Sequence, residues 1–250
     1  MNTVRSVLHL LFMGVTLVPW ALFVLLASVV VRGERLYWMC VGWLRVVVWA
    51  GRWILGIRNH VIGYENLPIG SKAPAILLVK HQSTWETLSL PVLMPHPLAF
   101  VFKKELLYIP FFGWAMSRLD MIHIDRSKRA QAFAKVVQQG QRLLDNGTWV
   151  IIFPEGTRIP RGQQGQYKLG GARLAVQTGV PVIPIAVTSA KCWPRRAIVK
   201  RPGTVEFSIG QPIPSVGRDP EDLMREVEAW IEAEMRRLDP QAYASPSSQG

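Results

Sequence analysis

Residues 6–31, SVLHLLFMGVTLVPWALFVLLASVVV, contain no Asp, Glu, Lys or Arg. Coiled as a helix, this stretch runs about 39 Å at 1.5 Å per residue, beyond the ~30 Å hydrocarbon core of a bilayer. A chain that starts this way either keeps the segment in lipid or sheds it. Shedding as a signal peptide is disfavoured, because the apolar run exceeds the usual core of about 7–15 residues. The following VRGERLYW also lacks the small residues that a cleavage site needs. The segment is expected to stay and anchor the protein.

A second apolar stretch, residues 36–57, differs in kind. At helical spacing Trp38, Arg45, Trp49 and Arg52 share one face. Arginine and tryptophan favour the headgroup layer, which points to a helix lying in or returning through the interface. A second spanning helix with its arginines packed inside a bundle is the alternative. The flanking Arg5, Arg32 and Arg35 are too balanced to fix orientation by charge.

The net charge of +12 calls for an anionic partner, either nucleic acid or an anionic membrane face. The anchor favours the membrane, and no nucleic-acid motif is present. The basic loop KCWPRRAIVKR, residues 191–201, suits anionic lipid heads or an acidic carrier protein as well as plain solvent. Cys40 and Cys192 give neither a disulfide framework nor metal-ligand spacing. A reducing, cytoplasmic setting for the main domain and no bound metal or cofactor are expected.

From about residue 60 the pattern becomes α/β. Short apolar runs at Ala75–Val79, Leu98–Phe102, Trp149–Phe153, Val182–Val187 and Thr204–Ile209 read as buried strands of a mixed, largely parallel sheet. Helical stretches at Arg129–Leu144, residues 168–178 and Pro220–Leu238 flank it. The expected organisation is a two-helix membrane segment over 1–57, one domain over 58–238, and a disordered tail over 239–250, where Ser, Gln, Ala and Gly dominate.

Two strand ends carry chemistry. In AILLVKHQSTWET the strand delivers His81 to its C-terminal edge, where open α/β sheets bind ligands, and Glu86 follows five residues later. An imidazole whose other nitrogen is held by a carboxylate can take a proton from an alcohol. In TWVIIFPEGTRI the strand runs into a sharp turn. There Gly156 permits close backbone approach, Thr157 offers a hydroxyl and Arg158 a fork for phosphate oxygens. Singly, these are a histidine at a strand end and a Pro-Gly turn, and packing alone accounts for such features more often than catalysis does.

Taken in order they say more. His81-x4-Glu86, then Lys103-Lys104-Glu105-Leu106 with Pro110 and Gly113, then Ile124-Asp125-Arg126, Phe153–Arg158 and Val180-Pro181-Val182-Ile183-Pro184 follow one another over residues 81–184. This series resembles the signature of the glycerolipid acyltransferase family that includes lysophosphatidic acid acyltransferase. The one departure is Glu86, where the family usually places Asp; the additional methylene changes reach by about one bond.

The resemblance implies that His81 is a general base and Glu86 its orienting carboxylate. It assigns Lys103, Arg126, Glu155, Gly156, Thr157 and Arg158 to substrate binding, with Lys104 a substitute for Lys103. Glu155 matches the signature, which does not separate acid–base chemistry from simply holding the turn. The implied reaction moves a fatty acyl group from acyl-CoA or acyl-carrier protein to the sn-2 hydroxyl of lysophosphatidic acid, giving phosphatidic acid. It would take place on the cytoplasmic side of the cytoplasmic membrane, among membrane lipids. The oxyanion is expected to meet backbone N–H groups of the His81 turn. Another lysolipid acceptor, or a non-catalytic lipid-binding protein, are the alternatives. His9, His60, His96 and His123 match no motif position and are expected to be structural.

Overall fold

The fold begins with a helical hairpin. The computed structural model describes residues 1–70, 73–124 and 129–243, and only the backbone of 129–134. Helices α1 (Asn2–Ala27) and α2 (Gly33–Ala50) run antiparallel, and a π-helical turn continues α2 over Gly51–Leu55. Side chains lock the pair. His9 bonds the Val47 carbonyl, Trp43 Nε1 donates to Thr16 Oγ1 and Trp20 Nε1 donates to the Met39 carbonyl. Both helices are long and apolar enough to cross a membrane. The arginines of the second are exposed: Arg45 lies over the Trp38 ring and Arg52 beside Trp53.

Among the described residues the sheet has seven strands in the order β1-β7-β6-β2-β5-β3-β4. In chain order these are β1 (Ile57–Ile62), β2 (Ile76–Val79), β3 (Leu98–Lys103), β4 (Ile122–Ile124), β5 (Trp149–Ile152), β6 (Val182–Val187) and β7 (Gly203–Ile209). The β6–β7 pairing is antiparallel and the others are parallel. Period-two alternation splits the strands between two cores. Leu77, Val79, Ile183 and Ile185 face one side, with Trp43, Val47 and Trp85. Ile76, Leu78, Val182 and Ala186 face the other. The first side is covered by the hairpin and α3 (Trp85–Leu93). The second is covered by α5 (Arg129–Asp145), α6 (Gly170–Thr178) and α7 (Pro220–Leu238); the short α4 (Phe112–Met116) lies against α1. This is an α/β fold with a mixed, mostly parallel sheet flanked by helices and preceded by two apolar helices.

The helix ends follow local rules. Asp219 caps α7 by accepting from the Glu221 and Asp222 N–H groups, Pro220 opens it, and Arg236 and Arg237 complement the dipole at its end. Gly179, at φ 69°, stops α6 in a left-handed turn.

Three boundaries differ from the sequence reading. Edge strands β1 and β4 do not appear as apolar runs, because β1 mixes Arg58, Asn59 and His60 among its apolar residues and β4 is three residues long. The expected division at residue 57 falls on the first residue of β1, and Tyr37, Val41 and Leu55 of the hairpin belong to the same core as Ile57 and Leu77. The hairpin therefore lies against the domain instead of standing apart from it. The expected start of a tail at Asp239 also shifts. Asp239 is buried and takes two hydrogen bonds from Arg161, and α8 (Pro240–Tyr243) follows. Residues 244–250 lie outside the described residues.

Candidate active site

Strands β2, β5 and β3 are adjacent and parallel, so their C-terminal ends share one edge. Continuing the registers Leu78↔Ile152 and Phe100↔Ile151 puts Lys80, Pro154 and Lys103 in one row. Lys103 is thus about 10 Å, two strand spacings, from Lys80. His81 leaves this row toward solvent.

His81 Nδ1 lies 2.9 Å from Glu86 Oε1. A carboxylate only accepts, so Nδ1 carries the hydrogen and Nε2 is left with its lone pair. Glu86 sits in the first turn of α3, where the helix dipole favours an anion. Its Oε1 also accepts from the Gln82 and Ser83 N–H groups at 2.8 and 2.7 Å, whereas Oε2 is buried without a hydrogen-bond partner. The longer glutamate therefore reaches the imidazole while folded back onto its own turn. The Phe153 ring stacks on His81 with centroids 4.0 Å apart, which fixes the remaining freedom of the imidazole.

The Phe153–Arg158 turn meets the His81 loop directly. Glu155 Oε2 accepts the His81 N–H at 2.8 Å, and the Ile159 N–H donates to the His81 carbonyl at 2.8 Å. Glu155 Oε1 takes the Lys80 ammonium at 2.7 Å. That ammonium also meets Glu232 Oε1 on α7 at 2.6 Å, to which the Tyr167 hydroxyl donates at 2.9 Å. All four side chains are buried. Burial raises the Glu155 carboxyl above its ordinary value, against the pull of Lys80. Both Glu155 oxygens are taken up in holding the turn, the His81 N–H and the Lys80 ammonium together.

Gly156 needs its flexibility. Its φ is +67°, and a Cβ there would come 2.9 Å from Lys168 Nζ. Thr157 is exposed at the tip. Arg158 is half-buried, with Nε buried and unbonded and no ion pair among the described residues. Lys103, the last residue of β3, and Lys104 after it are exposed. Arg126 lies outside the described residues.

The backbone expected to meet the oxyanion is already occupied. The N–H groups of His81, Gln82 and Ser83 are bound by Glu155 and Glu86, and that of Trp85 donates to Ser83 Oγ. The local economy of this loop, in which carboxylates satisfy its donors, leaves those groups nothing to offer a substrate oxygen.

Sequence reasoning passed over Phe153 as a platform, Lys80 as the buried partner of Glu155 and Glu232, Tyr167 as a donor to Glu232, and Lys168 beside Gly156. Lys80 carried the one usable signal, a lysine ending a fully apolar strand. The other histidines sit apart from this constellation. His96 stacks on Trp149, and His123 accepts from Lys135 and is held below its ordinary pKa by burial and by the Lys135 and Lys104 charges.

A histidine–carboxylate pair at the C-terminal edge of a parallel sheet, tied to a Pro-Glu-Gly-Thr-Arg turn in an α/β domain behind two apolar helices, is an arrangement that suits the acyltransferase class. The comparisons agree with that class. An acyltransferase family model matches residues 58–188, and the chain belongs to that family. It is 40% identical to the 1-acyl-sn-glycerol-3-phosphate acyltransferase of Pseudomonas aeruginosa, over 96% of this chain and 93% of that protein. The human 1-acyl-sn-glycerol-3-phosphate acyltransferase alpha is 30% identical, over 82% of this chain and 72% of its own. The crystal structure of the 1-acyl-sn-glycerophosphate acyltransferase PlsC from Thermotoga maritima superposes with a TM-score of 0.78 at 27% identity, covering 96% of this chain and 98% of that one.

Proposed function

We propose that this chain transfers a fatty acyl group from a thioester donor, acyl-CoA or acyl-carrier protein, to the sn-2 hydroxyl of lysophosphatidic acid, giving phosphatidic acid. The observation that carries the reading is the His81–Glu86 contact of 2.9 Å beside a turn tied to it by Glu155. His81 Nε2 accepts the hydroxyl proton as the alkoxide oxygen bonds to the thioester carbon. The tetrahedral intermediate then expels the thiolate, and the proton on Nε2 passes to its sulfur. Glu86 holds the tautomer and stabilises the imidazolium while it exists. Arg158 and Lys103 face the acceptor phosphate, with Arg126 a third cation of the same set. The names of the relatives support this substrate class.

The exposed apolar face of α1 supports a membrane location for the reaction, and the two unpaired cysteines suit a reducing, cytoplasmic side for the domain. Purified full-length protein, given lysophosphatidic acid and each donor, is expected to form phosphatidic acid. His81→Ala should fold as the wild type does and lose about 10²–10⁴ in turnover, the usual worth of a placed general base. Full turnover in that variant would refute the mechanism. A panel of lysolipids in which the phosphate monoester made no difference would refute the acceptor.

A further inference from the structure

Strands β7 and β1 run opposite to β6 and β2, so both begin at the edge where His81 emerges. The turn that ends the helical hairpin arrives at the same place. Between them lies a cavity of about 290 Å³ lined by Arg52, Trp53, Gly56, Arg58, Gly203 and Thr204. Arg5 of α1 completes the rim: its guanidinium donates to the Ile54 carbonyl, and a Cβ on Gly56 would lie 3.4 Å from its Nη2. None of these three arginines has an ion-pair partner among the described residues. Gathering like charges around bare glycine backbone costs energy unless an anion offsets it.

We infer that this cavity is a site for the headgroup of an anionic phospholipid that is not the substrate. Two guanidinium forks suit a phosphodiester. The cavity is about ten times the ~30 Å³ share of one water molecule, which gives room for a headgroup rather than a bare ion. Its surroundings select a lipid. Trp49 and Trp53 are 62% and 65% exposed with rings 6.4 Å apart, the amphipathic aromatics of an interfacial belt. Val4, next to Arg5 on α1, and Leu8, about a turn further on, present apolar surface for acyl chains. By strand spacing and rise the cavity lies roughly 15–20 Å from His81, too far to hold the phosphate of an acceptor under attack.

The site does not depend on the acyl-transfer reading, and its test needs no substrate. Native mass spectrometry of the full-length protein in nonionic detergent compares phosphatidylglycerol with phosphatidylcholine. Wild type should retain one phosphatidylglycerol and little phosphatidylcholine. The Arg52→Ala/Arg58→Ala double variant should lose that retention by about tenfold, whereas Arg195→Ala/Arg196→Ala, in the basic loop, should keep it. If the double alanine variant melts early, Arg52→Gln/Arg58→Gln takes its place. Equal retention by variant and wild type, or of both lipids by wild type, would overturn the site. Displacement by millimolar inorganic phosphate would make it a free-anion site, and preferential retention of acyl-CoA would make it part of the donor channel; either result rejects the inference.

Discussion

At the residue scale the site pairs its loop N–H groups with carboxylates, while Glu86 Oε2 and Arg158 Nε are buried without a partner. His81 and Glu86 were legible because they are five residues apart, so the link needs only the strand end and the first helical turn. The partner of the His81 N–H was not legible, since Glu155 stands 74 residues away. Its environment makes a pH prediction. Burial raises the Glu155 carboxyl above its ordinary 4.5, so the folded chain holds that proton more tightly than the unfolded chain does. The resulting stability is fully present below the unfolded value and is lost as pH rises through the folded one. Glu155→Gln is expected to flatten that decline. Urea midpoints across a pH series measure it, and an unchanged slope would show that another group titrates.

At the element scale, strands buried on both faces announce themselves as apolar runs, which is why β2, β5 and β6 could be read directly, whereas β3 and β7 bury only part of their length. The edge strands β1 and β4 bury less and carry polar residues, and only pairing defines them. Helix α7 was readable to its ends from Asp219, Pro220 and its apolar stripe, yet its tie to the site was not. Glu232 would ordinarily be assigned to solvent, but the fold buries it against Lys80 at the end of β2. This couples a helix beyond the matched family region to the His81 loop. Lys80→Met leaves two buried carboxylates without their cation and is expected to cost about 3–5 kcal/mol in chemical denaturation. Adding Glu232→Gln should recover part of that loss. A single variant as stable as wild type would mean that the carboxylates are not held charged.

At the scale of the whole molecule, the hairpin is both core and surface. One stripe of α1 and much of α2 close the sheet, while Leu11, Val15 and Leu26 of α1 stay bare. Acidic residues placed on that face meet no neighbour in the fold but are costly in lipid, by up to about 2.5–3.5 kcal/mol each at full depth. The Leu11→Glu/Val15→Glu variant is expected to melt with the wild type and to move from the membrane to the soluble fraction on cell fractionation. Retention in the membrane fraction would assign the anchoring to other surfaces.

The sequence by itself determined the α/β class, the central strands, the apolar hairpin and the His81–Glu86 pair, because each rests on hydrophobic period or on contacts a few residues long. Tertiary structure alone decided that the hairpin shares the domain's core, that Glu155 buttresses the His81 loop, and that Arg5, Arg52 and Arg58 surround one cavity. Those outcomes depend on strand order and on which buried charges find partners. Both are settled only when segments far apart in the chain compete for the same interior space.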